Sequence, residues 1–150
     1  MSLFRLGEFT LASGQPSRWK IDCDGLTADD WAALAAMAVE VLPLFFSVTG
    51  VPRGGDPFAA ALERYCSSNV SDGLLIAEDV VTTGASIERR RAYCRQHWTA
   101  AAFGIRGVCV FARPVWTPGV RGWVRRRFGY DRCPDWVTPL FQMPQRAEGV

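Results

Sequence analysis

The chain is short of the residues that most often do chemistry near neutral pH. It holds one histidine, His97, and one lysine, Lys20. A single imidazole with no second one to share a metal or a proton reads as a surface or packing residue. The five cysteines, Cys23, Cys66, Cys94, Cys109 and Cys133, are odd in number, scattered and never arranged as C-x-x-C. That pattern argues against a disulfide framework and against a zinc site, and it fits a reducing cytoplasm. Long apolar runs are missing too. The longest, Val39 to Val48, is broken by Glu40 and Pro43, so no membrane span is expected. No basic stretch followed by an apolar one opens the chain, so no secretory signal is expected either. The net charge of +2 is too small to indicate a nucleic-acid binder. Of the two arginine runs, Arg89 to Arg91 reads as a solvated helix face. Arg125 to Arg127 reads as an exposed basic turn, a nucleic-acid contact being the weaker alternative.

What remains is an ordinary globular composition in a chain of 150 residues, enough for one core, so residues 1–150 are expected to form a single domain. Strand and helix signals alternate along it. Leu6 to Asp24 mixes short β-like runs with turn residues around Ser13, Gly14 and Pro16. LTADDWAALAAMAVEVL follows as a helix, with Thr27 as its cap and Asp30 three residues on. Trp31, Leu34, Ala38, Val41 and Leu42 would form its buried face. Pro43 ends that helix, and LFFSVTG (44–50) reads as a buried strand. Phe58 to Cys66 reads as a helix with Pro57 near its first turn. A polar loop, SSNVSDG, comes next. The spacing then predicts a strand over Leu74 to Ala77, a helix over Ser86 to Trp98 and a strand over Gly107 to Arg113. This alternation predicts an α/β domain with a mainly parallel sheet flanked by helices. From Pro114 onward the pattern weakens; that part is expected to pack as a hairpin or to cover a sheet edge.

Two stretches carry the chemistry. LLIAEDVVTTGAS (74–86) is an apolar run that ends in two adjacent acids, Glu78 and Asp79. The turn Thr82, Thr83, Gly84, Ala85 and Ser86 then opens a helix. Acids at a strand end can accept hydrogen bonds from sugar hydroxyls. A turn rich in hydroxyls and backbone N–H groups at a helix start suits a phosphate. GVPRGG (50–55) follows the preceding strand. Its glycines let backbone approach an anion, and Arg53 adds a guanidinium fork. In a parallel sheet ligands bind beyond the carboxyl ends of the strands, so both stretches should meet there. An LLIAED-like run also opens response-regulator domains, but near their N-terminus and without the TTGAS continuation.

The thirteen residues from Leu74 to Ser86 resemble the signature of the type I phosphoribosyltransferases, which use phosphoribosyl pyrophosphate (PRPP). The resemblance implies the phosphoribosyltransferase fold. It implies ribose contacts for Glu78 and Asp79 and 5′-phosphate contacts for Thr82, Thr83, Gly84, Ala85 and Ser86. Val51, Pro52, Arg53, Gly54 and Gly55 would hold pyrophosphate, with Mg2+ carried on PRPP and no metal site of the protein's own. The N-terminal residues Gly7-Glu8, Phe9-Thr10-Leu11, Ser13-Gly14, Ser17, Trp19 and Asp22 are similar to the opening of orotate phosphoribosyltransferases, a segment that folds over the base. Arg113 matches a base-contacting arginine, its alternative being a strand-end surface charge.

Two departures stand out. Ala12 occupies the place of a base-binding lysine, and Lys20 and Ile21 replace two aromatics. The extra strand and mobile catalytic loop that usually precede the acidic signature are reduced to SSNVSDG. The resemblance thus implies transfer of ribose 5-phosphate to a nitrogenous base, orotate-like or other. The alternative is a non-catalytic PRPP or nucleotide sensor. The family's common homodimer is implied too, although the loop that would reach the partner's site is absent.

Overall fold

The computed structural model describes residues 3–10, 16–113 and 133–143. Two strands, β1 (Phe4–Thr10) and β2 (Pro16–Ile21), pair antiparallel. The main sheet has the order β3-β4-β5-β6 and is parallel throughout. Its strands are β3 (Ser47–Gly50), β4 (Leu74–Val81), β5 (Ile105–Ala112) and β6 (Val137–Gln142). Among the described residues three α-helices accompany it: α1 (Ala28–Val41), α2 (Asp56–Leu62) and α3 (Ala85–His97).

A parallel sheet must be covered on both faces, and its central strands show how. Along β4, Leu75 and Ala77 point into one cluster with Trp31, Ala35, Ala38, Phe58 and Leu62 of α1 and α2. Leu74, Ile76 and Val81 point into the other, with Ile87 and Cys94 of α3. Trp31 and Phe58 close the first layer, their ring centroids 5.8 Å apart. Fully burying side chains of this size contributes about 1.5–3 kcal/mol each.

α1 begins where its capping box predicts. The Thr27 hydroxyl accepts from the Asp30 N–H, and the Asp30 carboxylate accepts from the Thr27 N–H at 2.8 Å. Its buried face differs from the expected one. Ala35 is fully buried, whereas Val41 is 62% exposed, because the contact with α2 follows Trp31, Ala35 and Ala38. β3 is shorter than the LFFSVTG run. Leu44 lies exposed, and pairing starts at Ser47, opposite the first residue of β4. α2 stops at Leu62 and gives way to a 3-10 turn over Glu63–Tyr65.

β4 continues beyond Ala77. Its ladder with β5 runs through Glu78↔Cys109 to Val81↔Ala112, so both acids belong to the strand rather than to its exit. β6 runs parallel to β5 as the outer strand and so covers that sheet edge, one of the two expected arrangements; residues 114–132 lie outside the described residues. Pro139 within β6 lacks an N–H for a further ladder, a deficit tolerated at an edge. Between α2 and β4 the chain makes only two 3-10 turns, Glu63–Tyr65 and Val70–Asp72, with no added strand. Ala12, Ser13, Gly14 and Arg125 to Arg127 lie outside the described residues. Among those described, no helix is long and apolar enough to cross a membrane.

Candidate functional site

β3 and β4 run side by side, Gly50 opposite Ala77, so the loop after one and the acids at the end of the other emerge together. The Val51 N–H donates to the Ala77 carbonyl at 2.8 Å, and the Gly55 N–H closes the loop onto the Val51 carbonyl at 2.9 Å. The Pro52–Arg53 peptide is cis. A Cβ at Gly54 would lie 2.5 Å from Oδ2 of Asp79, and one at Gly55 would strike the Ala77 carbonyl. Two glycines are therefore what lets the loop lie against the acidic strand. Arg53 and Pro52 are exposed at the tip.

Glu78 is buried at 6% exposure, whereas Asp79 is half-buried. The Glu78 carboxyl accepts from the Asp79 N–H at 3.1 Å, and Asp79 Oδ1 accepts from the Val80 N–H at 2.7 Å. Burial, followed by the hydrogen bond and charge of Asp79, pushes the Glu78 carboxyl up to about 9. At neutral pH Glu78 therefore carries a proton.

The turn after β4 leads directly into α3. Gly84 is the N-cap, with φ of 82°, a left-handed conformation that costs a side chain dearly. No side chain caps α3 from that position, although the Thr83 hydroxyl accepts from the Ala85 N–H at 3.3 Å. The helix start keeps backbone donors and the positive end of its dipole available to an anion. Pro134 closes the outer side of Gly84.

These elements enclose a cavity of about 740 Å3. One wall is β4 from Glu78 to Val81 with the turn from Thr82 to Ser86; Ile87 and Arg89 of α3 extend it. The other is the hairpin, through Glu8, Phe9, Thr10, Lys20 and Ile21. The predicted acids and phosphate turn are thus brought together. Val51 to Gly55 do not line this cavity; they touch it through Gly54 behind Asp79.

Arg113 lies elsewhere. Its guanidinium sits 3.5 Å from the Trp19 ring centroid and donates to Ser17 Oγ at 2.8 Å and to the Trp19 carbonyl at 3.2 Å. It ties the hairpin to the end of β5 and is not part of the cavity wall. The arginine run is not a uniform solvated face. Arg89 is exposed and reaches Ser86 Oγ at 3.3 Å. Arg90 turns inward to Thr49 Oγ1 at 2.7 Å, and Arg91 lies over the Trp136 ring.

Lys20 was legible only as a departure from a pattern, yet it is a cation in the wall opposite the acids. Its Nζ lies 5.3 Å from the Phe9 ring centroid and 3.8 Å from Asp22 Oδ2. The cue in the sequence was β-type alternation around a turn, which puts Glu8 and Lys20 on neighbouring strands. Among the described residues no group of three or more His, Cys, Asp or Glu side chains could hold a metal.

No protein-family model matches the chain, and no curated protein does. Solved structures do. Orotate phosphoribosyltransferase from Aeropyrum pernix is 22% identical, with a TM-score of 0.65 over 93% of this chain and 88% of its own. The Francisella tularensis orotate phosphoribosyltransferase is 16% identical, with a TM-score of 0.58 over 93% and 80%. That of Mycobacterium tuberculosis, solved with inorganic phosphate, is 18% identical, with a TM-score of 0.54 over 91% and 86%.

Proposed function

We propose that this chain, which has the α/β fold of the phosphoribosyltransferases, binds PRPP and transfers its ribose 5-phosphate to a nitrogenous base. One observation carries the reading. A pair of carboxyl groups and a helix start with a glycine N-cap face one cavity, with a glycine loop packed directly behind the acids.

In this reading the 5′-phosphate sits on the turn from Thr82 to Ser86, with Arg89 beside it. Glu78 and Asp79 accept from the ribose hydroxyls. They lie where positive charge grows on the ribose as pyrophosphate leaves, and carboxylates there favour that charge. The loop from Val51 to Gly55 packs behind Asp79 through Gly54, and its exposed tip, Pro52 and Arg53, would meet the pyrophosphate. The donor set suits Mg2+ that arrives on pyrophosphate: the carboxyls of Glu78 and Asp79 would offer it hard oxygen ligands beside the phosphate oxygens that carry it. The hairpin covers the acceptor side, where Phe9 offers a ring face and Lys20 a positive charge suited to an acidic base such as orotate. Glu78 holds a proton at neutral pH, and that proton would have to leave for its carboxylate to face the Mg2+ carried on PRPP, so binding should release a proton.

The test is titration with PRPP and Mg2+ by calorimetry, followed by pyrophosphate release against a panel of bases that includes orotate. Base-dependent release is expected. The Glu78→Gln, Asp79→Asn double variant should lose PRPP binding while keeping its fold, and unchanged affinity in it would refute the site. A second reading, a PRPP or nucleotide sensor, is favoured by the short connection of residues 63–73, which leaves no segment there to close over the reaction. It predicts binding without release with any base.

A further inference from the structure

We propose that Cys109 and Cys133 form a thiol–disulfide exchange site whose oxidation resets the anion-binding turn. Their sulfurs lie 3.9 Å apart, and both residues are buried. They come from different elements, Cys109 from the middle of β5 and Cys133 from the segment that leads into β6. A disulfide needs its sulfurs at about 2.05 Å, so the pair must close by about 1.9 Å.

The two partners are unequally free to move. Cys109 is laddered on both sides, opposite Glu78 in β4 and Pro139 in β6. The displacement therefore falls on Cys133 and on its neighbour Pro134. Pro134 is the residue that closes the outer side of Gly84: a Cβ there would lie 2.9 Å from its Cγ. Gly84 is the N-cap of α3 and the centre of the turn. A bond formed in the core thus acts on the backbone donors that face the cavity.

Glutathione disulfide is a sufficient oxidant. Cys133 is the first nucleophile, since it is 9% exposed and Cys109 not at all. The hydrogen bond between the thiols also lowers Cys133 from its ordinary value, while the same bond and burial raise Cys109. The Cys133 thiolate attacks one glutathione sulfur and expels a glutathione thiolate, which leaves a mixed disulfide. Cys109 then gives up its proton, attacks Cys133 Sγ and displaces the second glutathione. Two protein thiols are oxidised, one glutathione disulfide is reduced to two thiols, and the two protons end on those thiols.

The cysteine chemistry stands without the proposed function. Its effect on the turn rests on reading Thr82 to Ser86 as an anion site. The experiment uses the full chain carrying Cys66→Ser, which removes a partly exposed thiol. The folded protein is equilibrated in glutathione redox buffers, alkylated and mapped by peptide mass spectrometry. Inorganic phosphate affinity is then measured on the reduced and oxidised forms. The expected result is a Cys109–Cys133 linkage with loss of two hydrogens, reversed by dithiothreitol, and a several-fold change in phosphate affinity. Absence of the linkage in the folded protein overturns the proposal, and so does a linkage that leaves phosphate affinity unchanged. If the reduced protein binds no phosphate, the anion-site reading fails and the effect on the turn fails with it; the peptide map still decides the cysteine pair.

Discussion

Replacing Glu78 with glutamine should change how stability depends on pH more than it changes stability at low pH. In the folded chain the Glu78 carboxyl titrates at about 9, against an ordinary value of 4.5. Below the ordinary value both states are protonated and the group contributes nothing to pH dependence. Between the two values the unfolded chain has released this proton and the folded chain has kept it, so stability falls as pH rises. One such group gives a slope of about 1.4 kcal/mol per pH unit. From pH 6 to pH 8 that amounts to about 2.7 kcal/mol, an order-of-magnitude figure for a buried acid beside another acid. For a chain of this length it corresponds to about 5–10 °C in Tm. The assay is thermal unfolding of the ligand-free protein and of Glu78→Gln at several pH values in that window. The difference between the two proteins cancels the titration of other groups. The parent should lose Tm across the window and the variant should lose markedly less. Parallel curves would refute the buried, protonated acid, whatever the absolute stabilities.

Other substitutions probe the remaining parts of the site. Gly54→Ala should weaken PRPP binding by tenfold or more, about 1.4 kcal/mol, because its Cβ would meet the Asp79 carboxylate at 2.5 Å; calorimetry reads this directly. Lys20→Gln should raise KM for an acidic base and leave PRPP affinity unchanged, which steady-state kinetics at saturating PRPP would separate. PRPP–Mg2+ binding at neutral pH should release a proton. The observed binding enthalpy should therefore shift between buffers of different ionisation enthalpy, and less so in Glu78→Gln. Phe58→Ala removes a fully buried ring between α1 and the sheet and should cost about 3–5 kcal/mol in denaturant unfolding.

How far the sequence could be read depended on how local each determinant is. The capping box of α1, the acids and the glycine turn are local patterns, and each formed as its residues dictate. Ala35 was passed over because alanine carries little hydrophobic signal, although its small side chain suits a fully buried place in the core. β4 outran its apolar run because hydrogen bonds to β5, not side-chain polarity, decide where a strand stops. β6 carries a proline and follows a run of prolines and aromatics without period, so only its partner strand reveals it. Within the site, contacts between distant residues were the hidden part. Nothing in the residue pattern alone tells that Gly54 lies behind Asp79, that Arg113 is spent on Ser17 and Trp19, or that Lys20 faces the cavity.

The brief passage from α2 to β4 also has a kinetic consequence. With two 3-10 turns in place of a long excursion, β3, α2 and β4 form one contiguous stretch, residues 47–81, whose two strands pair, Ser47 opposite Leu74 and Gly50 opposite Ala77, at low loop-closure cost. Val48, Phe58, Leu62, Leu75 and Ala77 can bury one another before the distant strand β6 arrives. This stretch is expected to act as the folding nucleus. Conservative truncations at Leu62 or Leu75 should slow refolding, whereas Val137→Ala should mainly speed unfolding; the reverse pattern would place the nucleus elsewhere. Because the same stretch holds both the glycine loop and the acids, the chain would assemble the heart of the proposed site in its first cooperative step.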